Sequence, residues 1–223
     1  ARIDNINGNY NIADGRLKEF LINRPNSPFI AQAAALRGFL AFENKNYDKA
    51  QKLLLEASDQ AKKASRFRQD KKYDELAHTC LFWRGIAFAH KGKYQEAMPI
   101  FEECYQSYPE LKYADDALFA LGMIAEINRQ FETAITYYNT ISKRYPYSNT
   151  VIAARVREIN NYLIMRQPQQ ALAEIEKTEK EIRQIDEGDT LAVHFQKQAF
   201  AENATEQLLY LRGEAYNLSK NFQ

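Results

Sequence analysis

The residue types that most often build active sites and metal centres are scattered in this chain of 223 residues. The three histidines, His78, His90 and His194, lack the spacing of metal ligands, and no acidic pair completes a ligand set. The glycines are dispersed, so no phosphate-binding loop is predicted, and no serine stands in a nucleophile elbow. We therefore expect a protein that is not an enzyme and that uses no metal or other cofactor.

The two cysteines and the paired acids also have a structural interpretation. Cys80 and Cys104 are too few for a disulfide framework, and both fall in predicted helices, where a buried free thiol packs as a small apolar group. Asp115 and Asp116 are adjacent at a predicted helix start, where carboxylates interact favourably with the helix dipole. These groups are expected to support the fold rather than a reaction.

The composition limits the class of protein and of partner. Thirty Lys and Arg residues against 29 Asp and Glu residues leave a formal net charge of +1, which favours neither nucleic acid nor an anionic membrane as the partner. Hydrophobic residues make up 45% of the chain, enough for a buried core, but the best apolar run, Ala31 to Phe42, is too short and too polar to span a membrane. Eight glycines and six prolines are few, which favours long helices over an all-β fold.

A short motif ending in alanine recurs along the chain. An aromatic residue precedes the alanine by three positions in four copies, and Pro168 takes its place in a fifth. Successive alanines are separated by 37, 47, 37 and 37 residues. The motif alanines are Ala13, Ala50, Ala97, Ala134 and Ala171; a glycine lies twelve residues before three of them (Gly38, Gly85 and Gly122), and a proline lies twelve residues after three of them (Pro25, Pro109 and Pro146).

This pattern resembles the tetratricopeptide repeat family. The string Gly85, Tyr94, Ala97, Phe101 and Pro109 follows the family's order of small residue, aromatic, alanine, aromatic and proline, and the next copy repeats it. The resemblance implies an all-α fold, a right-handed superhelical solenoid of stacked antiparallel helix pairs. We expect a single array over residues 1–223. Its units span roughly 1–28, 29–76, 77–111, 112–148 and 149–187, with a partial unit at 190–223.

Details of the repeats lead to further expectations. Ser27 and Ser148 are predicted to cap the helices that follow them, with Pro28 at a first helical position. The position that would hold the first unit's glycine is Ala1, and the partial unit marked by Gly213 and Phe222 stops before its second helix. Both ends therefore cut through a repeat, and we expect either a fragment of a longer protein or a last helix that acts as the cap.

Two regions depart from the regular pattern. The 47-residue spacing adds ten residues within Ala57 to Glu75, which predicts an elongated second helix and a lengthened following helix. In the fourth unit Ile159 replaces glycine, and Gly188 is predicted to break the helix before a last one begins near Thr190. The added segment is basic and is either a solvated tip or a docking site for an acidic partner; its cations are Lys62, Lys63, Arg66, Arg68, Lys71 and Lys72.

The family resemblance implies that the first helix of each pair lines a concave groove. In the first three units the groove positions carry no set of Lys, Asn and Arg that would hold a C-terminal carboxylate, and apolar side chains predominate instead. Such a groove suits an amphipathic helix or an apolar peptide, with Trp83 as the exposed anchor. The alternative for Phe82 and Phe119 is packing between hairpins or beneath helices of the protein that this chain lacks. The apolar groove candidates are Phe39, Phe42, Phe82, Trp83, Ile86, Phe119 and Met123; further positions are Gln32, Ala35, Thr79, His90, Asp116, Glu126, Arg157, Asn160, Tyr210, Glu214 and Asn217.

Function is expected to be non-enzymatic scaffolding, with a protein or peptide as the partner and without nucleic acid or direct membrane insertion. The junctions at 24–31 and 144–153 resemble those of bacterial cell-envelope repeat proteins of the outer-membrane assembly lipoprotein and Tol–Pal coordinator types. That resemblance implies a periplasmic or outer-membrane-associated adaptor, and a cytoplasmic protein is the alternative. A second functional hypothesis is a regulatory or oligomerisation module of a larger polypeptide, with the groove filled in cis.

Overall fold

The computed structural model describes residues 9–146, 148–185 and 191–220, and within them it contains ten α-helices and no β-strand. The predicted all-α class is therefore confirmed for the described part of the chain. The helices are α1 (Tyr10–Asn23), α2 (Ile30–Glu43), α3 (Tyr47–Arg68), α4 (Lys71–Ala89), α5 (Tyr94–Ser107), α6 (Ala114–Ile127), α7 (Phe131–Arg144), α8 (Val151–Ile164), α9 (Pro168–Ile185) and α10 (Leu191–Lys220).

The chain forms two compact units, an N-terminal unit (Ala1–Ala117) and a C-terminal unit (Leu118–Gln223). In the N-terminal unit each helix from α1 to α5 packs on the next one along the chain, and α2 also contacts α4. In the C-terminal unit the same order holds from α7 to α10, and α8 contacts α10. Contacts between consecutive helices and between alternate helices are those of stacked helix pairs, in which no single pair buries its apolar stripe alone.

The first helix of each pair ends in the same cap. Four residues at equivalent positions have left-handed backbones, namely Lys45, Gly92, Arg129 and Arg166, with φ between 56° and 69°. The next N–H then reaches back to a carbonyl in the last helical turn, which is the Schellman arrangement. These bonds run from Asn46 to Ala41, Lys93 to Phe88, Gln130 to Ala125 and Gln167 to Tyr162, with N···O distances of 2.8–3.1 Å.

Proline sets the end of the second helix in three pairs. The residue before each proline is driven out of the helical region by the pyrrolidine ring, and Arg24, Tyr108 and Tyr145 have φ of −135°, −135° and −126°. Helix α3 has no such proline and runs for 22 residues, and α4 that follows it has 19, whereas α2 and α5 have 14 each. The added ten residues therefore lengthen both helices, as the spacing predicts.

The predicted serine caps are wrong. Ser27 Oγ accepts the Phe29 N–H at 3.2 Å, and Ser148 Oγ accepts the Thr150 N–H at 3.0 Å. Phe29 and Thr150 are themselves the N-cap residues, so each serine lies two residues before the N-cap and closes a turn there. Hydroxyl groups readily form such local turns, and this contact uses the acceptor that a cap would need. Pro28 lies in the first of these turns, outside the helix.

Glycine and a large side chain pack against each other inside the pairs. A Cβ atom at Gly38 would lie 2.7 Å from Leu54 Cδ2, and one at Gly85 would lie 2.6 Å from Phe101 Cε1. Gly122 faces Tyr138 in the same way, and the three partners are completely buried. The fourth pair has Ile159 and Ile175 at the matching positions, both buried in one core cluster. A side chain at any of the three glycines would therefore collide with its buried partner.

The last two helices differ from the others. Helix α9 has 18 residues and α10 has 30, and Gly213 on α10 faces open space. The expected helix break at Gly188, the start near Thr190, and the predicted roles of Ala1 and Phe222 lie outside the described residues. Among the described helices, none has the length and apolar character that crossing a bilayer requires.

Candidate binding surface

Helices α2 and α4 carry four predicted groove residues of the N-terminal unit. Phe39 and Phe42 are three residues apart on α2, and Trp83 and Ile86 are three apart on α4, so each pair shares one face of its helix. All four are half-buried. We call these four residues the aromatic surface.

Trp83 lies among the phenylalanine rings of α2. Its ring centroid is 4.9 Å from that of Phe42 and 6.4 Å from that of Phe39, with interplanar angles of 75° and 79°. Edge-to-face contacts of this kind place the positive ring edge against the negative ring face, and they add to the energy of burial. The indole is thus held in one orientation while part of it stays accessible to solvent.

A second ring pair borders the aromatic surface at the end of α4. Tyr47 and His90 stack with their centroids 5.0 Å apart and their planes 8° apart, and Phe42 contacts both rings edge-on at 5.3 and 5.6 Å. His90 is among the predicted groove positions, but Tyr47 is not. Tyr47 could have been found from the repeat motif, because it occupies the aromatic position that starts the second helix just beyond the turn.

Phe82 has a different environment from its neighbour Trp83. Its side chain is 8% exposed and stacks on Tyr113 with centroids 4.6 Å apart and planes 6° apart. Phe101 contacts it at 5.9 Å. Of the two alternatives for this residue, the contacts favour packing between hairpins.

In the C-terminal unit, α6 carries the other two apolar candidates. Phe119 is half-buried against Tyr138, with centroids 5.6 Å apart, and the Arg157 guanidinium lies 5.7 Å from its ring centre. Met123 is 36% exposed. Arg157 Nη1 donates to Glu126 Oε2 at 2.6 Å, so these two groove positions pair opposite charges, a contact that their spacing in the sequence does not predict.

Two further groove positions meet at a cleft between α8 and α10. The cleft has a volume of about 340 Å³. Tyr210 is 66% exposed, and its hydroxyl donates to Glu214 Oε1 at 2.7 Å. The lining residues are Val156, Asn160, Glu206, Gln207, Tyr210 and Leu211.

The predicted basic patch loses one member to an ion pair. Lys62 Nζ donates to Glu103 Oε1 at 2.8 Å, which links α3 to α5. The other five cations, Lys63, Arg66, Arg68, Lys71 and Lys72, are exposed around the turn between α3 and α4. The Arg68 guanidinium lies 5.9 Å from the centre of the Tyr73 ring.

Burial makes the charged forms of two cysteines and one histidine in the N-terminal unit less favourable. Burial raises the pKa of the Cys80 thiol to about 12 and also raises the pKa of Cys104. Burial lowers the pKa of His78 to about 4, so its imidazole is neutral at physiological pH. Reactive cysteines instead have lowered pKa values and partial exposure. Within the described residues, no group of three or more potential ligands is placed to hold a metal ion.

Comparison with known proteins identifies the repeats. A family model of the tetratricopeptide repeat matches residues 79–110 and 116–148. No curated protein sequence matches the chain. The structure is similar to that of BtubC (BKLC) from P. vanneervenii, with a TM-score of 0.57 and 16% identity over 96% of this chain and 90% of that one. It is also similar to MamA of AMB-1, with a TM-score of 0.52 and 17% identity over 86% of this chain and 91% of that one.

At these identities the two structural likenesses show the fold alone, and the family match identifies the two central repeats. These repeats stack helix pairs into extended surfaces, and the known role of such surfaces is to bind other proteins. Residues 79–110 and 116–148 therefore carry tetratricopeptide repeats, modules that typically serve protein–protein interaction, and the described part of the chain around them is all-helical.

Proposed function

We propose that the protein binds an apolar peptide or an amphipathic helix on the aromatic surface. The observation that carries this proposal is Trp83, a half-buried indole held edge-on by Phe42 and Phe39. Energy at protein interfaces is concentrated in a few aromatic anchors that are already ordered, because little side-chain entropy is then lost on binding.

The chemistry of the surface favours an apolar ligand over a charged one. The four residues of the aromatic surface carry no charge, and the nearby Arg37 donates to Asp14 Oδ1 at 2.7 Å. An amphipathic helix presents apolar side chains three and four residues apart, which matches the spacing of Phe39 with Phe42 and of Trp83 with Ile86. In the C-terminal unit, Phe119 and Met123 form a second, smaller apolar surface that a ligand could contact. The cleft beside Tyr210 is another.

Trp83 also supplies the assay, because it is the only tryptophan in the chain. The full chain is titrated with a designed peptide whose leucines recur at positions i, i+3, i+4 and i+7, and with a scrambled peptide of the same composition. We expect a saturable change in tryptophan emission with the amphipathic peptide only. Equal responses to both peptides would contradict recognition of a helical face.

Matched variants test the location. Phe42→Ser removes a ring that contacts Trp83, and we expect it to weaken binding about tenfold or more, as loss of a central anchor does. Phe67→Ser removes an exposed ring elsewhere and should leave affinity unchanged, as should Lys71→Ala. If Lys71→Ala abolished binding and Phe42→Ser did not, the ligand would bind at the basic turn instead.

A role as an adaptor in the bacterial envelope is the finer form of this proposal. The support for this role comes from the junctions at 24–31 and 144–153, which resemble those of envelope repeat proteins. Ser27 and Ser148 in these junctions form the same turn, because each hydroxyl accepts the N–H of the residue two positions later. Fractionation of cells that express the full-length protein tests the compartment, with recovery in the periplasmic or membrane fraction expected. Recovery in the cytoplasm alone would remove the envelope role and leave the peptide-binding proposal intact.

Helix α10 favours a second candidate function, oligomerisation. Leu209 is 60% exposed, Tyr210 is 66% exposed and Tyr216 is 53% exposed, so this helix carries much apolar surface. A second copy of the chain would cover it. Light scattering coupled to size-exclusion chromatography should then give a dimer or higher oligomer that Leu209→Ser with Tyr216→Ser converts to a monomer. A monomer at all concentrations would contradict this function.

A further inference from the structure

The most exposed large hydrophobic side chain described in the protein lies outside the groove positions. Phe67 is 88% exposed at the end of α3, one turn before the chain reverses into α4. Gln69 closes α3 with a left-handed backbone (φ 52°), and Asp70 caps α4 by accepting the Lys72 N–H at 3.0 Å. The ring is therefore held on a short, ordered turn at the tip of the two longest helices of the N-terminal unit.

Exposed cations surround this ring. Arg66 and Arg68 flank Phe67 in the chain, Lys63 lies one helical turn before it, and Lys71 and Lys72 open α4. Residues 63–72 thus contain five exposed cations and one carboxylate, that of Asp70, which already accepts a backbone hydrogen bond. Asp74 follows in the first turn of α4 and leaves the local excess positive. The near-zero net charge of the whole chain conceals this local excess. We call residues 63–72 the basic tip.

A second exposed phenylalanine belongs to the same end of the N-terminal unit. The Tyr73 hydroxyl, on the first turn of α4, donates to the Pro28 carbonyl at 3.0 Å. Phe29, the next residue, is 64% exposed. The turn before α2 is thereby tied to the base of the basic tip.

We propose that the basic tip docks peripherally on a membrane surface that contains anionic phospholipid. The Lys and Arg side chains contact headgroup phosphates, and the Phe67 ring enters the interface between headgroups and acyl chains. Cations are attracted to the negative surface potential of such a membrane over roughly a Debye length, about 10 Å at 0.1 M salt. An aromatic ring among them adds apolar burial, and stable attachment generally needs both contributions.

The shape of the basic tip favours a membrane over an acidic polypeptide. A peptide ligand requires ordered pockets for its side chains, whereas Phe67 is almost completely solvated. An interface that is fluid needs no preformed pocket, only a projecting ring and flexible cationic stems. The peptide-binding proposal is independent of this one, since the aromatic surface shares no residue with the basic tip.

The test is co-sedimentation of the full chain with phosphatidylcholine vesicles, with and without about 30 mol% phosphatidylglycerol, at about 0.1 M salt. We expect sedimentation with the anionic vesicles only, reduced about fivefold or more by Phe67→Ser and abolished by Lys71→Glu with Lys72→Glu. Acidic residues at a helix start agree with the helix dipole, so the charge variant should fold normally. Thermal unfolding of each variant checks this.

Control variants exclude a general effect of exposed apolar side chains or charges. Ile164→Ser removes an apolar side chain that is 57% exposed at the end of α8 in the C-terminal unit, Lys18→Glu reverses an exposed charge on α1, and both should sediment like the original protein. A Phe67→Trp variant should show a blue shift in emission with anionic vesicles and none with neutral ones.

Three results would overturn the proposal. The first is no sedimentation above that seen with neutral vesicles. The second is unchanged sedimentation of the Phe67→Ser variant, or an equal loss in the Ile164→Ser variant. The third is retention on immobilised polyglutamate that depends on Phe67 while vesicles retain nothing, since the basic tip would then be a docking site for an acidic polypeptide.

Discussion

Gly85 on α4 lies so close to Phe101 on α5 that a Cβ atom at position 85 would be only 2.6 Å from Phe101 Cε1. Phe101 is completely buried, so moving its ring aside would disturb the packing around it. Gly85→Ala should therefore destabilise the protein by about 1–2 kcal/mol, because overpacking costs more than the gain in helix propensity. Chemical denaturation followed by far-UV circular dichroism measures the change.

Gly15 provides the matched control for this prediction. It is also inside a helix, but a Cβ atom there would meet nothing within 4 Å. Gly15→Ala should stabilise the protein by about 0.5–1 kcal/mol, since only the propensity term remains. If both variants shifted stability in the same direction, close packing at Gly85 would not be the cause of its effect.

The turn between paired helices gives a second prediction. Gly92 has φ of 69° and open space around its Cα, so replacement by alanine adds backbone strain alone. Gly92→Ala should cost about 1 kcal/mol. Arg129 has φ of 58° at the equivalent turn, and Arg129→Gly should be neutral or slightly stabilising. Denaturation midpoints of the two variants should therefore move apart, and equal shifts would argue against a shared turn geometry.

Glu158 on α8 makes stability depend on pH. Its side chain is 1% exposed, and burial, followed by the nearby Glu174 carboxylate, raises the pKa of Glu158 to about 7, although Arg155 Nη1 lies 3.4 Å from its Oε2. The folded state therefore holds this proton where the unfolded chain, with a pKa near 4.5, releases it. This group contributes stability below about pH 4.5 that is lost as the pH rises to about 7.

The Glu158→Gln variant tests this dependence because its amide resembles the neutral acid. At pH 5 the variant should have nearly the stability of the original protein, and at pH 8 it should be more stable, by an amount on the order of 2 kcal/mol. Unfolding curves at the two pH values supply the measurement. A variant that is less stable at pH 8 would mean that Glu158 is ionised in the fold and held by Arg155.

The buried thiols predict resistance to alkylation. Cys80 and Cys104 are fully buried, and the pKa of Cys80 is raised to about 12 by burial, so little thiolate exists at pH 8. Iodoacetamide should modify the native protein roughly a thousandfold more slowly than the unfolded chain. Mass spectrometry in buffer and in denaturant makes the comparison, and rapid native labelling of either cysteine would contradict the described packing.

Much of the fold follows from local signals in the sequence. Proline at 25, 109 and 146 ends helices, and glycine at 38, 85 and 122 marks the closest contacts of a pair, because both effects depend on one residue and its immediate partner. The ten-residue excess between the Ala50 and Ala97 motifs predicts longer helices for the same reason. The serine caps failed because a hydroxyl has several backbone partners within reach, and only the turn geometry selects one.

The fourth pair shows what local signals leave open. Ile159 in place of glycine makes its packing hard to predict, yet Ile175 stands where the other pairs carry leucine, phenylalanine or tyrosine. Two of those pairs combine glycine with a large ring, Phe101 or Tyr138. In the fourth pair the residue on α8 is larger than glycine and the residue on α9 is smaller than a ring, so the two isoleucines together fill the space between the helices. The two residues, sixteen positions apart, must be considered together, because close packing constrains the combined volume of their side chains and not the volume of each one.

The repeat period, the helix-ending prolines and the small residues at helix contacts were readable in the sequence by themselves, since each acts through its own backbone or a partner at fixed spacing. Only the tertiary structure decided which aromatic side chains stay accessible. Phe82 and Trp83 are neighbours on one helix, but Tyr113, thirty-one residues beyond Phe82, covers Phe82 and leaves Trp83 half-buried. Burial depends on elements that pack from elsewhere in the chain, so the accessible binding surface is a property of the assembled helices.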